Sequence, residues 1–208
     1  MLKIPKQNYF ESVWDETSKQ IILDMVETFL CACSDVKISP IIIYGSLLGS
    51  IRHQGIIPWD GDVDFCVDKN HNYLELKNKL LAKDLSIFLF DDGIQKYEYY
   101  QCMKICSSYG QSTHSPWSWP WIDVYFYDKT ESKINFLNVN RTVFYSCDFL
   151  DVFPLQEKIF EKFKVKVPCN YKKILDSIYP RWDTIYESSK FDHRTTQRNR
   201  VIYKEVIK

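Results

Sequence analysis

Asp60, Asp62 and Asp64 alternate with Gly61, Val63 and Phe65 just after Pro58. On an extended strand a period of two puts all three carboxylates on one face. Like charges packed that closely raise one another's pKa, and a strand whose other face is apolar gains nothing from them. A hard divalent cation reverses the sign of that interaction, because Mg2+ or Mn2+ takes oxygen ligands and bridges protein carboxylates to substrate phosphates. A solvated acidic turn is the plain alternative. The segment upstream favours the cation. Ile41, Ile42, Ile43 and Tyr44 make a short β-branched run that stops at Gly45 and Ser46, and Leu47, Leu48 and Ile51 resume at helical spacing. Gly45 and Ser46 are therefore expected where a strand hands over to a helix N-terminus, whose free N–H groups bind phosphate. A phosphate corner facing a metal site is equipment for phosphoryl transfer.

Such groups need a sheet to hold them and helices to cover it. Asp15 to Cys33 carries Ile21, Ile22, Met25, Val26, Phe29 and Leu30 at helical spacing and reads as an amphipathic covering helix. Tyr73 to Leu81 reads as a second helix, and Leu85 to Phe90 as a strand ending at the turn residues Asp91-Asp92-Gly93. Tyr97 to Cys106 is expected to be the next strand, followed by a polar loop as far as Ser115-Pro116-Trp117. In Trp121 to Tyr127, Ile122, Val124 and Phe126 alternate with Asp123, Tyr125 and Tyr127, which leaves one carboxylate among aromatics. Phe144 to Asp151 reads as a further strand, Glu161 to Val167 as a short hairpin, and Tyr171 to Ile178 as a helix stopped by Pro180. After it, Arg181 and Trp182 fit either a place near a cleft or a surface cation stacked on an indole. The tail from Phe191 to Lys208, with His193, Arg194, Arg198 and Arg200, is basic enough to meet donor phosphates, but a solvated helix is the preferred reading.

Tyr44-Gly45-Ser46-Leu47-Leu48-Gly49, Arg52-His53, Gly55, Ile57-Pro58-Trp59-Asp60 and Asp62-Val63-Asp64 together resemble the LicD family, which includes the fukutin and fukutin-related proteins. The resemblance resumes in Trp121-Ile122-Asp123-Val124, Val152-Phe153-Pro154-Leu155, Val165-Lys166-Val167-Pro168 and Tyr179-Pro180. It departs from the usual pattern at Gly61, where an aspartate is common, and at Ser46, where threonine is common. Membership implies an α+β fold, a nucleotidyltransferase-like mixed β-sheet flanked by helices. It also implies a third metal-binding acid on a neighbouring strand; Asp123 matches it, with Asp128 as the main rival.

The activity implied is metal-dependent phosphotransfer assisted by two cations, with Asp123 binding the metal near the acceptor and assisting deprotonation of its hydroxyl. Asp62, Asp64 and Asp123 would be the catalytic metal ligands for Mg2+ or Mn2+. Gly45, Ser46, Arg52 and Asp60 would stand on the donor side, Arg52 as a planar phosphate clamp. The donor would be a CDP-linked one such as CDP-choline or CDP-ribitol, and the acceptor a hydroxyl on a sugar or glycan. Nucleotidyl transfer from an NTP and a catalytically silent glycan-binding module are the alternatives; a glycosyltransferase with an Asp-x-Asp fits less well, since such folds lack the Gly-Ser corner.

The 208 residues suit a single domain, 45% of them hydrophobic, with formal net charge zero. Zero charge implies no bulk attraction to nucleic acid or anionic membrane, so long polynucleotides are not expected partners. Six tryptophans suit a stacking site but are more often core. No signal peptide or transmembrane segment is read. Seven cysteines, an odd number without a compact framework, point to free thiols in a reducing compartment. Animal relatives of the family are typically anchored in the Golgi, so the sequence reads as cytoplasmic as written, or as belonging to a secretory-pathway lumen if it is a trimmed piece. Cys102, Cys106 and His114 include no tight Cys-x-x-Cys pair and no obvious fourth partner, so structural zinc is not the preferred reading, although some relatives carry it.

Overall fold

The computed structural model describes residues 10–71, 73–89, 102–137, 143–188, 191–198 and 204–207. The turn expected at Asp91-Asp92-Gly93 and the start of the strand expected from Tyr97 lie outside them. The first helix, α1, is Glu16–Asp35, and Asp15 caps it by accepting from the Ser18 backbone N–H at 2.7 Å. Its apolar face, Ile22, Met25, Val26, Phe29 and Cys33, is buried in the core. Each such side chain contributes about 1.5–3 kcal/mol on full burial.

There follow β1 (Ile41–Ile42), α2 (Tyr44–Arg52), β2 (Val63–Asp68), α3 (Tyr73–Leu81), β3 (Leu85–Leu89), β4 (Cys102–Ser112), β5 (Ser118–Lys129), β6 (Lys133–Leu137) and β7 (Val143–Asp148). The chain continues through α4 (Phe149–Val152), β8 (Gln156–Phe160), β9 (Phe163–Val167), α5 (Tyr171–Ile178), β10 (Ile185–Glu187), β11 (Phe191–Asp192), β12 (Gln197–Arg198) and β13 (Lys204–Val206). The main sheet runs β3-β4-β5-β2-β1-β9-β8, with β6 pairing β5 and β7 pairing β6. It is mixed: β2 and β5 are parallel, as are β1 and β9, while the other pairs are antiparallel. This is the expected α+β architecture, a mixed sheet flanked by helices.

Several expected boundaries move. The strand at Ile41 ends after two residues, and α2 already begins at Tyr44, so Gly45 and Ser46 lie inside its first turn. Two bonds to the next strand draw the chain out of extension there: Ile43 N–H donates to the Asp64 carbonyl at 3.2 Å, and the Ser46 hydroxyl accepts from Asp64 N–H at 2.9 Å. The polar stretch after Cys106 is strand, because β4 pairs β5 again at Gln111 and Ser112 beyond a register shift. The strand expected to reach Asp151 ends at Asp148, and the hairpin expected from Glu161 is the longer β8–β9 pair. Nor do the tail's described residues form a helix: β11 pairs with β12 within it, and β13 pairs back to β10, which lies ahead of it. No helix among the described residues is long and apolar enough to cross a membrane.

Candidate active site

Parallel pairing of β2 with β5 sets Asp64 directly beside Asp123. Asp62 precedes β2, and one carboxylate oxygen from each of Asp62, Asp64 and Asp123 lies within 4.8 Å of the others, all three residues being buried. Asp60 is also outside the strand, so alternation along an extended chain does not place it. It reaches the cluster through the turn before β2 and forms a second group with Asp62 and His193, again with donor atoms within 4.8 Å of one another. The rival Asp128 accepts from Lys69 Nζ at 2.8 Å on an exposed stretch.

Two indoles hold that turn. Trp14 Nε1 donates to the Asp60 carbonyl at 2.8 Å and Trp119 Nε1 to the Gly61 carbonyl at 2.7 Å, and the two rings stack at 5.1 Å. Both carbonyls are thereby satisfied in a part of the chain that has no ladder partner. Gly45 is fixed by close approach, since a β-carbon there would sit 2.3 Å from Asp60 Oδ2. The corner expected to receive phosphate thus abuts a carboxylate, and the Ser46 hydroxyl is committed to the Asp64 backbone. Arg52 has another occupation as well: its Nη1 donates to the carbonyls of Trp182 (3.0 Å) and Ile185 (3.3 Å), and its guanidinium lies 4.7 Å from the Tyr186 ring centre. It ties α2 to the C-terminal segment.

Sequence reasoning missed the cations that answer the acids. Lys104 on β4 is in register with Asp123, and its Nζ lies 2.5 Å from Asp123 Oδ1 with both side chains buried. Trp121 Nε1 donates to Asp123 Oδ2 at 3.1 Å, and the Lys104 ammonium stands 4.1 Å from the Trp121 ring centre. His193 comes from the turn between β11 and β12, its Nε2 3.0 Å from Asp62 Oδ2. A charged residue between Met103 and Ile105 was the available signal for Lys104; His193, in a basic tail, offered none.

Charge in this space is uneven. Burial, then Asp62, Asp123 and Asp60, push the Asp64 carboxyl well above its ordinary value. Burial and Asp62 push Asp60 up to about 6. Burial alone would raise Asp62 too, but the charge and hydrogen bond of His193 bring it below the ordinary value. Burial would lower His193, and Asp62 more than offsets this. Tyr179 is raised by burial and by Asp64 and Asp60, which places its hydroxyl within their field. Four carboxylates thus face Lys104 and His193, and Asp64 is disfavoured as an anion. A hard dication ligated by Asp62, Asp64 and Asp123 fits that donor set and would relieve the repulsion.

A family model described as "LicD/FKTN/FKRP, nucleotidyltransferase domain" matches residues 37–170. The chain is 25% identical to the lipopolysaccharide cholinephosphotransferase LicD of Haemophilus influenzae, over 89% of this chain and 80% of that protein. It is also 28% identical to the uncharacterized protein RP689 of Rickettsia prowazekii, over 67% of this chain and 46% of that one.

Proposed function

The chain belongs to the LicD/FKTN/FKRP nucleotidyltransferase family, and from that premise we propose that it is a metal-dependent phosphotransferase. It moves phosphocholine or a phospho-alditol from a CDP-linked donor to a glycan hydroxyl and releases CMP. The observation that carries this is the convergence of Asp62, Asp64 and Asp123 from two chain segments onto one buried space. The relative in Haemophilus influenzae, a cholinephosphotransferase by name, supports the class of group transferred.

In the reaction the acceptor oxygen attacks the donor's distal phosphorus, the bridging P–O bond breaks so that CMP leaves with the bridging oxygen, and the hydroxyl's proton passes to a carboxylate of the acidic cluster. Asp62, Asp64 and Asp123 would hold Mg2+ or Mn2+, which when bound supplies charge neutralisation at the diphosphate. Lys104 and Trp121 each occupy one oxygen of Asp123. Those two bonds orient Asp123 as a fixed ligand.

The test is product release from CDP-choline, CDP-ribitol, CDP-glycerol, nucleotide sugars and NTPs, with Mg2+ or Mn2+ and an acceptor oligosaccharide. CMP from a CDP-linked donor, lost in Asp62→Ala and Asp64→Ala, is the expected result. Pyrophosphate from an NTP would replace the proposal with nucleotidyl transfer. Tight glycan binding without turnover would replace it with a silent binding module.

A further inference from the structure

His193 lies beyond the residues matched by the family model, yet the fold seats it among the acids. A β-carbon on Gly61 would meet His193 Cβ at 2.6 Å, Nδ1 at 2.7 Å and Cγ at 2.8 Å, so the side chain packs against a position that glycine leaves open. Trp121 flanks it edge-on at 5.4 Å between centroids. Asp192 shapes the turn that carries it, accepting from Arg194 N–H at 3.0 Å. The imidazole is therefore held in one orientation, with Nε2 toward Asp62.

We propose that His193 is a metal ligand. Its Nε2 and carboxylate oxygens of Asp60 and Asp62 form a second cation site beside that of Asp62, Asp64 and Asp123, with Asp62 shared between the two. Three donor atoms from two distant segments lie close enough to contact one ion. The nitrogen donor gives this site a preference for a first-row transition dication over Mg2+, because imidazole suits such ions and Mg2+ strongly favours oxygen. An adjacent pair of sites is the arrangement that clamps both the attacking and the leaving oxygen of a phosphoryl transfer. The proposal rests on the reading that the acidic cluster takes divalent cations.

The experiment is Mn2+ titration of the full chain with pulsed electron paramagnetic resonance, which detects directly bound nitrogen. Unlabelled protein is expected to show ¹⁴N modulation that changes to the ¹⁵N pattern when only histidine is labelled. His193→Ala is expected to lose the modulation, keep the oxygen-ligated Mn2+, and weaken the second binding event about tenfold or more. Gly61→Ala keeps the imidazole but crowds it, and is expected to lose the modulation too; melting curves of both variants confirm that they fold. Bound Mn2+ with oxygen ligands alone, or nitrogen modulation surviving in His193→Ala, overturns the proposal and leaves the first site standing. If Mn2+ does not bind at all at millimolar concentration, the metal reading beneath it falls as well.

Discussion

Lys104 occupies a position flanked by Met103 and Ile105, both fully buried, and its ammonium is enclosed with Asp123. Two opposite charges removed from water in this way are stable only as a pair. Lys104→Met would leave the Asp123 carboxylate buried without its partner. In metal-free buffer this variant is expected to lose about 3–5 kcal/mol of unfolding free energy in urea titration. Adding Asp123→Asn should recover most of that loss, because the uncompensated charge is what costs; two independent, additive losses would mean that the two side chains do not act as a pair. Asp123 was legible from the sequence as the one acid in an aromatic strand. Lys104 was not, because register across β4 and β5, which decides what faces Asp123, is a tertiary property.

The segment Asp60-Gly61-Asp62, between the turn at Pro58-Trp59 and β2, is the element on which the site depends, and it is held by side chains. Trp119→Phe keeps an aromatic ring but deletes the pyrrole part of the indole with its N–H, leaving the Gly61 carbonyl without its donor and a small gap beside it. The expected loss is about 1–3 kcal/mol in stability, with divalent-cation affinity about 10–100-fold weaker by calorimetry. An unchanged affinity would mean the segment keeps its shape without the indole. Period-two alternation pointed to the right acids for a partly wrong reason: only Asp64 of the three lies on the strand. The helices α1, α3 and α5 were readable because their apolar spacing is local. The tail was misread because two- and three-residue strands carry no period, and nothing in the basic run from Phe191 shows that it pairs with itself or reaches back to Asp62.

For the molecule as a whole, the acidic cluster sets how stability depends on pH. His193 is raised above its ordinary 6.5, and Asp64 well above its ordinary 3.8, so each holds its proton longer folded than unfolded. Groups of that kind favour folding at low pH and lose their contribution as pH rises through the folded value. His53 works the other way: burial, then Arg52, depress it to about 4, so its stabilisation is complete above 6.5. Asp62, depressed below 3.8, is likewise flat in that range. Protein stripped with EDTA is therefore expected to melt at progressively lower temperature as pH rises above 6.5, the ordinary value of His193. Mn2+ should raise the melting temperature most at the upper end; a flat or rising curve in EDTA would refute the linkage. The parallel pairing of β2 with β5 has one more consequence. Asp64 and Asp123 are neighbours only across strands that the intervening α3, β3 and β4 separate in sequence, so the nascent polypeptide carries Asp60, Asp62 and Asp64 close together but lacks the Asp123 that completes the chelate. An ion can reward the finished sheet but cannot recruit it, unlike the metal of a zinc finger, whose capture is itself the folding event.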